Sequence, residues 1–182
     1  RARLARISRL AAPFFQRVWI AAASAVPAAT SGMAAHPTPV NDLRYLRSSV
    51  KSACLKGAAY ASINAFFHCL DLPWRLDPGA LALIGPWEAI RVGISGKTLS
   101  WESLGWLWDV SGDWDSGPVS AAKQGLQRAN VEGDWRNWKD QDANQLEQPL
   151  KKADAQWKEF LLDAYTLAGL RTQAKARPSY EG

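Results

Sequence analysis

Acidic side chains are missing from the first forty-one residues, and the first carboxylate is Asp42. Arg1, Arg3, Arg6, Arg9 and Arg17 punctuate an Ala-, Leu- and Phe-rich stretch there, a composition that organelle import machinery reads. Cysteine is scarce as well: Cys54 and Cys69 stand fifteen residues apart. On one helix they would lie roughly 22 Å apart, too far to pair. A secreted disulfide framework is thereby excluded, and two buried thiols are expected. Histidine is limited to His36 and His68. A Cys/His zinc site lacks its four ligands, and no G-x-S-x-G elbow offers a nucleophile to a base. No metal, cofactor or catalytic residue is expected.

Against these absences, ten tryptophans stand out in 182 residues. The length fits one domain with extensions, or two small ones. The net charge of +5 hides an asymmetry: residues 1–56 hold nine Lys or Arg and one Asp, while residues 57–182 hold thirteen against sixteen acids. A basic arm on a mildly acidic body suits nucleic acid, anionic lipid or an acidic protein face. The chain opens on Arg rather than Met, which fits a processed product with a retained extension.

Apolar spacing and punctuation predict an all-α chain. Residues 1–41 read as an extended basic arm. It holds a short amphipathic helix over 2–12, stopped by Pro13, and a Pro-rich linker over 25–39. Asn41 or Asp42 is expected to cap one long helix over about 42–70. One i,i+4 row of that helix is small throughout: Ser49, Ala53, Gly57, Ala61, Ala65, Cys69. Such a row lets another helix approach closely. Arg44, Arg47, Lys51 and Lys56 flank the apolar stretch 53–70 as they would a membrane span, but Lys56, Asn64 and His68 inside it favour packing in an assembly or lying at a membrane surface. Residues 77–94 read as a short helical hairpin broken at Gly85–Pro86. Trp-rich helices follow over 101–109, 118–129, 135–147 and 150–170. The organisation expected is therefore an arm and linker (1–41), packing or membrane-associated helices (42–97), a Trp-rich helical domain (98–170) and a flexible tail (171–182).

The local motifs have structural readings. Gly93–Thr98 reads G-I-S-G-K-T, but a phosphate loop would need Gly at position 91, which is Arg91. A Gly-containing turn ahead of a Ser100 cap fits better. V-S-G-D-W at 110–114 and V-E-G-D-W at 131–135 read as two similar helix-to-helix turns. The clustered carboxylates Asp109, Asp113, Asp115, Glu132, Asp134, Asp140 and Asp142 read as caps and a solvated face. Seven indoles in a small C-terminal domain should leave several at its surface, with Trp101 and Trp108 sharing one helix face.

The function expected is that of a non-catalytic accessory subunit of a mitochondrial inner-membrane complex, a respiratory complex or the ATP synthase. The contacts expected with partner subunits or lipid headgroups are Arg3, Arg6, Arg9, Arg17, Arg44, Arg47, Lys51 and Lys56, with the small residues Ala53, Gly57, Ala61 and Ala65 and the indoles Trp101 and Trp108. The alternative is an organellar ribosomal protein whose arm binds rRNA. The acidic body weakens it, since residues 100–163 hold twelve acids against seven bases.

Overall fold

The computed structural model describes residues 2–56, 62–68, 70, 72–112 and 116–175. The chain is mostly helical, with one small antiparallel sheet. In order it runs α1 (Ala2–Arg9), α2 (Phe14–Ile20), a π turn (Ala21–Ala25), α3 (Val26–Thr30), α4 (Val40–Cys54), α5 (Ile63–His68), α6 (Pro78–Ser95), α7 (Trp101–Val110), α8 (Pro118–Ala129), β1 (Glu132–Gly133), β2 (Asn137–Lys139), β3 (Gln145–Glu147) and α9 (Asp154–Lys175).

The N-terminal segment is folded, not extended. Leu4 and Ile7 of α1 lie buried with Val18, Ala21, Ala22, Ala25 and Val26, against Val50, Ala53 and Cys54 of α4, Phe66 of α5 and Leu76. Phe14 to Thr30 is one unbroken helical run, although Pro27 lies inside it. A helix-interior proline clashes with the carbonyl four residues back, and a wider turn relieves that clash. The π turn Ala21–Ala25 sits directly ahead of Pro27. The expected linker is thus helical as far as Thr30.

The expected long helix over 42–70 is two helices. α4 begins at Val40 and ends at Cys54, and Lys56 turns left-handed at φ 52°. The reason for the stop lies far off in sequence. The Arg17 guanidinium reaches across and its Nε donates to the Cys54 carbonyl at 2.9 Å. A cation on the last carbonyls satisfies acceptors that a continuing helix would have used. Among the described residues no helix is long and apolar enough to cross a membrane.

α6 departs from expectation in the other direction. It is continuous through Gly85–Pro86, not a hairpin. Asp77 caps it, accepting from the Gly79 amide at 2.8 Å, and Pro78 occupies its first turn. Pro86 removes one helical hydrogen bond. Burial of Leu83, Ile84, Trp87 and Ile90 along the same helix offsets that loss. α8 packs on α6 at close range. A Cβ on Gly125 would stand 3.1 Å from Leu83 Cδ1 and 3.5 Å from its Cα, so the small row that permits close approach is Ala121, Gly125 and Ala129.

The segment 135–147, expected as a helix, supplies β2 and β3 of a three-stranded antiparallel sheet in the order β1-β2-β3, with Trp138 opposite both Gly133 and Leu146. Asp and Asn turn chemistry decides it. Asp134 Oδ1 accepts from the Arg136 amide at 2.7 Å, and Asp140 Oδ1 accepts from the Asp142 and Asn144 amides at 2.9 Å each. These side-chain bonds favour turns over helix. The alternation in β2 aims Trp138 inward while Asn137 and Lys139 face out.

Trp138 joins Trp87 and Trp157 at the centre of the C-terminal core, each no more than 1% exposed. The Trp87 and Trp138 rings meet edge to face at 4.7 Å. Apolar packing thus falls into two clusters, one built from residues 4–76 and the other from 83–164. Truncating an indole this deep removes transfer free energy and leaves a cavity. Trp87→Ala is expected to cost about 3–5 kcal/mol, read as a lowered urea midpoint, whereas the same change at exposed Trp106 is expected to stay within about 0.5 kcal/mol.

Candidate functional site

Four helices, with Gly79 at the start of α6, enclose a cleft of about 640 Å³ where the two clusters meet. α4 contributes Val40, Leu43, Arg44 and Arg47, which recur at helical spacing on one face. Asn64 and His68, one turn apart on α5, face them. Tyr165, Gly169 and Thr172 of α9 line the far wall, and Arg128 enters from the last turn of α8.

Arg47 is the hub. Its Nε lies 2.9 Å from Asp77 Oδ1, an ion pair whose side chains are 13% and 7% exposed. The contact is one of charge and not of hydrogen-bond alignment. The rest of the fork is spent on α5: Nη1 donates to Asn64 Oδ1 at 3.1 Å and Nη2 donates to His68 Nε2 at 3.2 Å. Its face also lies over Phe67, 4.7 Å from the ring centroid. The Tyr165 hydroxyl donates to Asp77 Oδ2 at 3.2 Å.

These contacts fix protonation states. Guanidinium only donates, so the His68 Nε2 beside it is the unprotonated acceptor and His68 is the neutral Nδ1–H tautomer. Burial, and then the positive charge of Arg47, lower the His68 pKa to about 4. Burial pushes the Asp77 carboxyl up, against the opposing pull of Arg47, the Gly79 amide and Tyr165. Burial and the neighbouring Asp77 push the Tyr165 phenol far above its ordinary range.

Two glycines make the site possible. A Cβ on Gly79 would occupy the volume of the Tyr165 hydroxyl. One on Gly169 would stand 2.5 Å from His68 Nε2, so α9 can reach α5 only without a side chain there.

The sequence-nominated residues divide. Arg47 and Arg44 belong to the cleft, Arg47 largely buried and Arg44 exposed at its rim. Arg17 is a correction: it is 7% exposed, turned inward onto Cys54, and presents no surface to lipid. That arginine and burial act oppositely on the Cys54 thiol, with burial prevailing and raising its pKa to about 11. Arg3, Arg6, Arg9 and Lys56 are exposed, and Lys51 is half-buried. Ala53 is buried under α1, and Ala65 is half-buried. Gly57, Ala61, Cys69, Asp113, Trp114, Asp115 and the tail 176–182 lie outside the described residues. Trp101 stacks on Trp135 at 5.7 Å and Trp108 tilts against Trp87 at 5.7 Å, so both are half-buried core flanks.

The outward aromatics are others. Phe15 and Trp19, one turn apart on α2, are 65% and 64% exposed, with Ile20 and Leu10 beside them in sequence. Neither is among the arginines, lysines, small residues and indoles expected as contacts. Their signal was the i,i+4 spacing within an acid-free stretch.

The remaining motifs are structural. The amides of Gly96, Lys97, Thr98 and Leu99 all donate to carbonyls of α6, so G-I-S-G-K-T is a helix end with no amide free to cradle phosphate. V-E-G-D-W forms β1 and its turn, where a helix-to-helix connection was expected; its counterpart at 110–114 lies partly outside the described residues. Asp134 pairs with Arg136 and Asp142 with Arg171. No cluster of three metal-ligating side chains occurs among the described residues.

No family model, curated protein or solved structure matches this chain.

Two outcomes test the hub. A buried pair that loses one partner leaves an uncompensated charge, so Asp77→Asn and Arg47→Met are each expected to cost about 3–5 kcal/mol, and the double variant less than their sum, in a urea double-mutant cycle. The His68 pKa is lowered on folding, so the unfolded chain binds its proton first as pH falls. Its contribution is present above 6.5 and is lost as pH drops from 6.5 toward about 4. The difference in urea midpoint between wild type and His68→Gln is expected to shrink across that window.

Proposed function

We propose that the chain is a non-catalytic accessory subunit of a mitochondrial inner-membrane complex, a respiratory complex or the ATP synthase, held against anionic lipid by its N-terminal helices. The observation that carries this reading is the pairing of outward Phe15 and Trp19 with exposed Arg3, Arg6 and Arg9 in a stretch without a single carboxylate. Apolar rings at the headgroup level and cations above them are the two signals that hold an interfacial helix on a membrane. The apolar underside of the same helices is already occupied by α4 and α5. The rings are therefore left for an external surface. The acid-rich C-terminal body would face away from such a membrane.

Flotation with vesicles tests the contact. Binding is expected to vesicles of phosphatidylcholine with cardiolipin, to weaken with salt, and to be absent on phosphatidylcholine alone. Each of Arg6→Gln and Arg9→Gln is expected to weaken it about 5-fold, the equivalent of ~1 kcal/mol per basic residue near the surface. Phe15→Ser with Trp19→Ser is expected to abolish it with the fold intact. Equal binding to neutral vesicles, or none to anionic ones, overturns the reading. Native gels of organelle extracts test the assembly: the tagged chain is expected to migrate with a membrane complex in detergent. Sedimentation with ribosomal subunits instead would favour the rRNA-binding alternative.

A further inference from the structure

We infer that the cleft between α4, α5, α8 and α9 is a binding site for a small organic anion, whose carboxylate or phosphate group is taken by Arg44 and Arg128. This site is separate from the membrane face proposed above.

Charge is the first argument. Among the described residues the lining holds three arginines and a histidine, and no carboxylate. Arg47 is spent, since Asp77, Asn64 and His68 take its fork. The charge left facing the cleft is therefore that of Arg44 and Arg128. Arg44 makes no hydrogen bond or ion pair among the described residues. Arg128 uses Nη2 on the Thr38 carbonyl and on Gln124, which orients the fork and leaves its other nitrogens without a hydrogen bond among those residues. A planar fork held from behind is suited to a two-oxygen acceptor.

Shape is the second argument. A cleft of about 640 Å³ falls in the range of small-ligand sites, and its wall mixes Val40, Leu43, Ile63 and Ala168 with the polar groups. That composition suits an apolar body carrying one anionic group. Preorganisation is the third. The hub locks His68 as the Nδ1–H tautomer, and that N–H has no partner among the described residues. Asn64 is braced between Arg47 and the Gly169 carbonyl. The polar wall is thus fixed before any ligand arrives, which lowers the ordering cost of binding.

Amide NMR titration of the full chain with phenyl phosphate, benzoate and uncharged benzyl alcohol tests the inference. Saturable shifts at Asn64, His68, Gly169 and Thr172 are expected with at least one anion and not with the alcohol. Preference for phenyl phosphate identifies the natural group as a phosphate ester, and preference for benzoate as a carboxylate. Arg44→Gln is expected to weaken binding ~10-fold, and Arg128→Gln at least as much. Arg44 is exposed, so its variant keeps the test valid if Arg128→Gln fails to fold. A bound oxyanion among Arg44, Arg47, Arg128, Asp77 and Tyr165 is also expected to raise the His68 imidazole from about 4 toward its ordinary range, followed through its ring protons. The inference is overturned if neither anion saturates, if the alcohol binds equally well, or if Arg44→Gln leaves affinity unchanged.

Discussion

The Arg47–Asp77 ion pair is the contact on which the architecture turns. Arg47 belongs to α4 and so to the cluster formed by residues 4–76, while Asp77 caps α6 and so opens the cluster of residues 83–164. One carboxylate thus starts the central helix and binds the two halves together. A buried charge is tolerated only where every lone pair and donor finds a partner. Here Gly79 and Tyr165 donate to Asp77, and Asn64 and His68 take the two terminal nitrogens of Arg47, whose Nε is held by charge alone. The positions of α5 and α9 follow from that requirement, since each brings a side chain the pair needs. The cleft is the space left between helices gathered for this purpose.

The N-terminal segment shows how one charge pattern serves two ends. Its arginines look alike in sequence, yet Arg17 turns inward to close α4 while Arg3, Arg6 and Arg9 stay in solvent. The aromatics divide the same way: Phe14 packs on Phe66 at 6.5 Å and Phe15, the next residue, faces out. Adjacent helix positions point about 100° apart, so a two-residue aromatic step places one ring on each face. An aromatic outer surface and a packed inner one follow from the seven residues of α2, and the exposed arginines of α1 add the charge.

Local punctuation was legible wherever the chain obeys it. Ser100 caps α7, accepting from the Ser103 amide at 3.0 Å, and Gly117–Pro118 opens α8 at the place the sequence indicates. Misreadings came from distant partners. Gly57 is the one local hint of a helix end near Cys54, and the group that takes the Cys54 carbonyl is 37 residues upstream. Gly85–Pro86 announces a break that burial overrides. The sheet was hidden by Trp spacing that fits a helix, although Asp134, Asp140 and Asn144 carried turn chemistry. The cleft was illegible for a related reason. On one continuous helix over 42–70, Asn64 and His68 would lie about five turns from Arg44 and Arg47. Breaking that helix returns Asn64 and His68 to face Arg47, a pairing that sequence distance conceals. In sequence Asp77 is only a helix start and Tyr165 only one residue of an apolar helix, since neither belongs to a motif until packing brings both to one guanidinium.

The cap that Arg17 places on α4 has a consequence for the order of synthesis. Residues 4–26 leave the ribosome well before Val50, Cys54, Phe66 and Leu76, the residues that cover their apolar side. For that interval the first helices have no interior to enter. Leu4, Ile7 and Val18 stay uncovered on the same short amphipathic segments that carry Phe15, Trp19 and the free arginines. A nascent chain in that state presents apolar surface on both faces, and only the arrival of α4 and α5 sequesters one of them. The mature fold is in this sense the second environment its N-terminus meets, and the timing of translation decides how long the first one lasts.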